Sequence, residues 1–278
     1  MTQQMTYPGH ARAITVMGLP LVGGHLGQIA IGVSDTVMAG WYSVEALAAV
    51  TLASTYFFVL LIFGSGFAWG VMPLVAAFDA EGDEVGLRRA TRMGMWLSMG
   101  FAVLALPLMI WSRPIMALMG QDQALADMVD GYLFIAAWGI FPALMVMVLK
   151  SYLAALERTG VVLWVTIMAV FLNVLVNYAL IFGNLGMPEL GLRGAAIASV
   201  ISQAVTLGVL SLYVVRGPAT REHVLFQRIW RPDPEAFREV FRLGWPIGLT
   251  NLAESGMFSA SALIIGLIGT LPLAAHGI

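Results

Sequence analysis

Seven long apolar stretches, each about as long as or longer than the ~20 residues a helix needs to cross a bilayer's hydrocarbon core, constrain this chain more than any motif in it. They run from Ala13 to Met38, Ala46 to Phe78, Thr91 to Trp111, Gly131 to Leu153, Val161 to Phe182, Leu192 to Val215 and Phe237 to Ile268. Such runs far exceed strand length, and none shows the alternation of apolar and polar residues that a membrane barrel requires. The chain therefore reads as an all-α integral membrane protein, a polytopic helical bundle. Composition agrees: 59% of its 278 residues are hydrophobic and 11% charged, where a soluble domain carries about 25% charged residues. A net charge of −2 gives no reason to expect a nucleic-acid partner. The lack of cysteine excludes a disulfide framework, a thiolate metal site and a cysteine nucleophile. The first stretch is longer than a signal-peptide core and is succeeded by further spans, so it reads as a helix that stays in the protein.

Turn and cap chemistry fills the gaps between spans: AGWYSVE, DAEGDEVGLRR, SRPIMALMGQDQ, LERTG, GNLGMPELG and the long RGPATREHVLFQRIWRPDPEAFRE. Twelve of the fourteen basic residues fall on the side that holds Arg12, Arg88, Arg89, Arg92, Lys150, Arg158 and the six arginines from Arg216 to Arg242, while only Arg113 and Arg193 fall opposite. Loops on the cytoplasmic side retain Lys and Arg, so the N-terminus and the long basic loop are expected in the cytoplasm.

The segment C-terminal to that loop resembles the N-terminus. A shift of 226 residues places Pro20 on Pro246, Gly40 on Gly266, and Leu47, Ala48 and Ala49 on Leu273, Ala274 and Ala275. A six-helix unit repeated in parallel is one plan used by secondary transporters. The expected organisation is a six-helix lobe over residues 1–215, a basic cytoplasmic inter-lobe loop over 216–236, and over 237–278 the start of a second lobe, with its first helix and the beginning of the next. On that reading the chain is part of a twelve-helix protein.

An ionisable side chain at membrane depth costs roughly 2.5–3.5 kcal/mol on insertion scales and usually has a functional reason. Of sixteen acidic residues, only Asp35 and Glu254 stand within apolar runs. Asn173 and Asn177 are four apart on the fifth span, as are Ser199 and Gln203 on the sixth, so each pair projects from one helix face. Interhelical packing accounts for such pairs. With Asp35 they also make an oxygen-rich site for a hard cation such as sodium, or for a proton. His25 has no second ligand at metal-site spacing, and H-E-x-x-H, the Walker loop, G-x-S-x-G and G-x-G-x-x-G are all absent, so neither an enzyme nor a bound cofactor is expected. The 17 methionines and the aromatic residues can line an adaptable cavity, although such residues more often fill cores or face lipid.

These residues resemble the multidrug and toxic compound extrusion (MATE) family, in its bacterial NorM-like branch. The segments that carry the likeness are VSDTVMAGWYSVEALAAV from Val33 to Val50, GMPELGLRGAAIAS from Gly186 to Ser199, the stretch from Glu254 to LPLAAHGI, and the LERTG turn. The likeness runs from about Leu19 onward and corresponds to roughly the first three-fifths of a family member. It implies one six-helix MATE-type lobe plus the first helix of a second, truncated lobe, in the bacterial inner membrane. The implied activity is exchange of inward sodium or protons for outward amphipathic, often cationic drugs by alternating access. By position, Asp35 matches the family's N-lobe coupling carboxylate, Asn173, Asn177 and Ser199 its polar surroundings, Glu254 the acidic residue of the seventh helix, and Pro20 a proline where the first helix bends. The implied partners are small-molecule drugs, the lipid bilayer and the remaining C-terminal half. Two other readings stand beside this one: a lipid-linked precursor flippase, for which Lys150 is the only cationic candidate, and a truncated product or structural half-subunit that does not transport alone.

Overall fold

The computed structural model describes the backbone of residues 7–118 and 123–268, with side chains described for residues 15–16, 18–118 and 123–257. Its elements are α1 (Tyr7–Tyr42), α2 (Val44–Glu81), α3 (Glu84–Ile110), the short α4 (Ser112–Leu118), α5 (Gln123–Ala155), α6 (Thr159–Phe182), α7 (Leu192–Arg216) and α8 (Pro234–Ile268). The seven long helices coincide with the seven apolar stretches and extend them by up to a few turns into polar flanks. The beginning of an eighth span, with Leu273 to Ala275, lies outside the described residues.

The breaks between helices reflect local chemistry. Ser43 opens α2 by accepting a hydrogen bond from the Ala46 amide at 3.0 Å. Gly82, at φ +72°, ends α2 in the left-handed conformation that glycine adopts without strain. Asp83 then caps α3 by accepting from the Val85 and Gly86 amides at 3.1 and 2.9 Å. One expectation needs correction. SRPIMALMGQDQ reads as a loop, yet Ser112–Leu118 is helical. Proline is tolerated in a helix's first turn, and Asp130 of α5 satisfies that turn by accepting from the Ser112 hydroxyl and the Arg113 amide.

Among the described residues, α2, α3, α5, α6 and α7 are long and apolar enough to cross a membrane. The 36-residue α1 is as long, but His25, Gln28, Ser34, Asp35 and Thr36 dilute its apolar character. Long apolar side chains such as Leu104, Phe171 and Trp164 are more than 70% exposed, as a lipid-facing surface requires.

Within the bundle α2 packs on α5 and α3, α1 lies along α6, α7 closes against α5 and α6, and α8 crosses α2 and α3. Two apolar clusters fill it. One, around Met38, Val50, Met109, Leu133 and Ile181, lies toward the α1–α2 turn, and the other, around Leu87, Met93, Leu149, Tyr152 and Val240, lies toward the basic loop. The α2–α8 crossing is backbone on backbone. A methyl group added at Gly66 would lie 2.3 Å from the Gly248 nitrogen, and one at Gly248 would lie 2.5 Å from the Phe63 carbonyl oxygen. Gly66 and Gly70 face Gly244 and Gly248, so a small-xxx-small pair on each helix permits the approach.

Candidate functional site

Glycine on α1 sets the geometry of the polar cluster. A methyl group at Gly23 would lie 2.8 Å from Leu163 and one at Gly27 would lie 2.7 Å from Thr166, so α1 rides unusually close to α6. Further along α1, that proximity carries Asp35 against the amides of α6. Gly194 likewise presses the start of α7 against the Leu180 carbonyl at the end of α6.

Asn177 donates through Nδ2 to Asp35 Oδ1 at 2.5 Å and to Asn173 Oδ1 at 3.1 Å. Ser199 donates through Oγ to Asp35 Oδ2 at 3.1 Å. Asp35 is 6% exposed, and neither asparagine is exposed at all. The structure thus brings Asp35, Asn173, Asn177 and Ser199 together from α1, α6 and α7. A buried carboxylate that accepts two such bonds has each oxygen held but not saturated. Within the same cluster Asn177 Oδ1 and Asn173 Nδ2 are buried without a hydrogen-bond partner. Buried polar atoms are nearly always paired, so an open acceptor beside a carboxylate marks a place for a further electropositive group. Oxygen ligands of this kind suit a hard cation or a proton. Among the described residues there is no group of three or more His, Cys, Asp or Glu side chains placed to hold a metal ion.

Tyr132 belongs to the same neighbourhood, although sequence reasoning misses it. It projects from α5, is 5% exposed, interacts with Ser54 and Ser199, and feels the charge of Asp35. Its only sequence signal is a hydroxyl among apolar neighbours, which neither charge nor helical pairing distinguishes.

Other candidates stand elsewhere. Glu254 is exposed on α8, which packs on α2 and α3. Pro20 lies within α1 and is half-buried, and His25 is exposed on the same helix. Lys150 of α5 reaches Gln28 Oε1 of α1 at 3.5 Å. Gln203 is half-buried on α7, one turn beyond Ser199.

The MatE family model matches residues 20–179. A probable multidrug resistance protein NorM of Rhizobium meliloti (strain 1021) is 45% identical over 277 residues, which cover 98% of this chain and 58% of the relative. A probable multidrug resistance protein NorM of Agrobacterium fabrum (strain C58 / ATCC 33970) is 43% identical over 269 residues, covering 97% of this chain and again 58% of the relative. Among solved structures, a crystal structure of MATE in complex with MaD3S superposes with a TM-score of 0.81 at 20% identity, over 94% of this chain and 58% of that one. The crystal structure of a eukaryotic MATE transporter gives 0.81 at 18% identity, over 94% of this chain and 57% of that one. The chain spans a little under three-fifths of the length of the relatives it matches.

Proposed function

The chain belongs to the MatE family, and on that premise we propose that it supplies the ion-coupling lobe of a secondary active multidrug efflux transporter. Inward sodium or protons bind at Asp35 and are exchanged for outward amphipathic, often cationic drugs as the two lobes alternate access. The observation that carries this reading is the buried Asp35 carboxylate, held by Asn177 and Ser199 next to the open Asn177 Oδ1.

An oxygen cage with one negative charge favours a monovalent cation or a proton, and either ligand neutralises it. Neutralisation changes which packing of α1 against α6 and α7 is preferred, and a ligand that binds one packing better shifts the lobe toward it. One charge moving inward through about 100 mV supplies about 2.3 kcal/mol, enough for a roughly fiftyfold gradient of drug. In this reading Glu254 serves the coupling from α8, and Pro20 lets α1 bend by removing one hydrogen bond of its ladder. The transporter sits in the bacterial inner membrane with its N-terminus in the cytoplasm, and the remaining half completes the drug path.

The test is drug efflux from proteoliposomes reconstituted with a form that carries both lobes. Imposed sodium or proton gradients should drive uphill efflux, and ablation of the Asp35 charge should stop it. Efflux that ignores both gradients would overturn the assignment.

A further inference from the structure

At the end of the bundle opposite the α1–α2 turn, arginines of α3 meet the segment between α7 and α8. Arg92 donates through one terminal nitrogen to the carbonyls of Gln227 and Arg228 at 3.0 and 3.1 Å, and Arg88 donates to Gln227 Oε1 at 3.2 Å. Trp96 donates to the Ile229 carbonyl at 2.8 Å. Arg89 pairs with two carboxylates, Asp233 and Glu235.

That leaves an imbalance of charge. Among the described residues Arg88, Arg92 and Arg231 form no ion pair, and Arg92 feels the like charges of Arg88, Arg89 and Arg231 against the single opposing charge of Asp233. Arg92 is only 8% exposed, and the Nε atoms of Arg92 and Arg88 are both buried without a hydrogen-bond partner. A buried guanidinium with a free N–H beside two further unpaired guanidinium groups is the arrangement that binds phosphate oxygens.

The seam also stands at a definite depth. The 27 residues of α3 span roughly 40 Å at about 1.5 Å per residue, against a hydrocarbon core of about 30 Å. The excess of about 10 Å falls at its charged start, which carries Glu84, Arg88, Arg89 and Arg92, rather than at its apolar end. Trp96 is 46% exposed and Trp230 73% exposed, as side chains at a membrane–water interface are.

We infer that the seam between α3 and the α7–α8 segment, built on Arg88, Arg92 and Arg231, is a binding site for the phosphate of an anionic phospholipid. The lipid phosphate offsets part of the positive charge that Arg88 and Arg92 of α3 share with Arg231 of the segment, so its binding fastens the connection between α3 and the segment that leads into α8.

The experiment uses the purified chain in a neutral detergent. Native mass spectrometry and tryptophan fluorescence track titration with phosphatidylglycerol, with phosphatidylcholine, and with inorganic phosphate. Phosphatidylglycerol should be retained and should shift the fluorescence, whereas the other two should do neither. Removal of one basic residue near an anionic surface weakens attraction about fivefold, so the R88Q/R231Q double variant should bind about 25-fold more weakly. Arg113→Gln, at the opposite end of the bundle, should bind as the unmodified chain does. Equal retention of phosphatidylcholine, equal response to inorganic phosphate, or an unchanged double variant would each overturn the inference. The comparison of ligands on the unmodified chain stands even if the double variant fails to fold.

Discussion

Asn177 of α6 lies 2.5 Å from the Asp35 carboxylate of α1, so two helices separated by more than a hundred residues share one short, buried polar contact. A change in the charge of Asp35 alters that contact directly. The first prediction concerns the charge itself. Asp35→Asn keeps the shape of the side chain and removes its ability to gain or lose charge. In a reconstituted form carrying both lobes, the variant should still bind drug in detergent but lose uphill efflux, by at least tenfold on the usual scale for a group that acts in the coupled step. Glu254→Gln should be impaired less, because Glu254 is exposed on α8 rather than enclosed in the cluster. Unmodified pumping by both variants would remove carboxylate coupling from the mechanism.

The second prediction separates the amide from the acid. Asn177→Leu keeps the branch at Cγ but is larger and has no donor, so Asp35 Oδ1 loses its 2.5 Å partner and Asn173 Oδ1 its 3.1 Å partner. A buried acceptor left unpaired costs about 1–3 kcal/mol, more when charged. The thermal midpoint in detergent should fall accordingly. Addition of the coupling ion should restore part of the loss, since a ligand of the native state stabilises it by mass action. A midpoint within error of the unmodified protein would show that Asn177 does not hold the carboxylate.

Much of this arrangement is legible in the sequence, and the reasons are specific. Asp35 stands out because a charge in an apolar run is expensive, and Asn173 with Asn177 because a spacing of four fixes one helix face. Helix existence comes from run length, whereas the starts of α2 and α3 are decided by the caps Ser43 and Asp83. Tyr132 is not legible, because a lone tyrosine in span four acquires meaning only when α5 is seen beside α7. The grip of Arg92 on the Gln227 and Arg228 carbonyls is hidden for the same reason, since its acceptors are backbone atoms more than a hundred residues away. The Gly66–Gly70 and Gly244–Gly248 spacings are visible in the chain, but nothing local says that each is the other's partner.

That glycine crossing carries the third prediction. At Gly66 even a methyl group would stand 2.3 Å from a backbone nitrogen and 2.5 Å from the Gly244 carbonyl oxygen, neither of which can rotate away. Gly66→Ala must therefore push α8 off α2, at a cost of about 1–3 kcal/mol. Gly100→Ala on α3 meets nothing within 4 Å and should be neutral or slightly stabilising, because alanine outranks glycine in a helix by about 1 kcal/mol. Thermal unfolding of the two variants in one detergent should separate them by several degrees. Equal midpoints would mean that α2 and α8 do not cross this closely.

The fourth prediction is a dependence on pH at the segment between α7 and α8. Asp233 accepts two hydrogen bonds from Arg89, and the Ala236 amide adds a third at 3.2 Å. Arg89 in the first place, helped by the Ala236 and Glu235 amides, holds the Asp233 carboxyl well below its ordinary value of 3.8, at about 2. The folded value lies under the unfolded one, so the pair contributes stability that is complete above about pH 4 and disappears as pH falls through about 2. The arginine is 37% exposed, so solvent screens the pair and its contribution is modest, on the order of 1 kcal/mol or less. Its removal should show locally rather than in global unfolding. Limited proteolysis by pepsin, which works across this acid range, should cut the stretch from residue 217 to residue 233 faster at pH 2 than at pH 4. Rates should be referred to an unstructured peptide digested alongside, to remove the protease's own pH dependence. At pH 4 the segment of Asp233→Asn should be cut faster than that of the unmodified chain, because the two-pronged hold of Asp233 on Arg89 is gone and only the exposed Glu235 contact remains. If the unmodified chain and the variant showed the same relative rates at both pH values, the Arg89–Asp233 pair would not be what keeps the segment on α3.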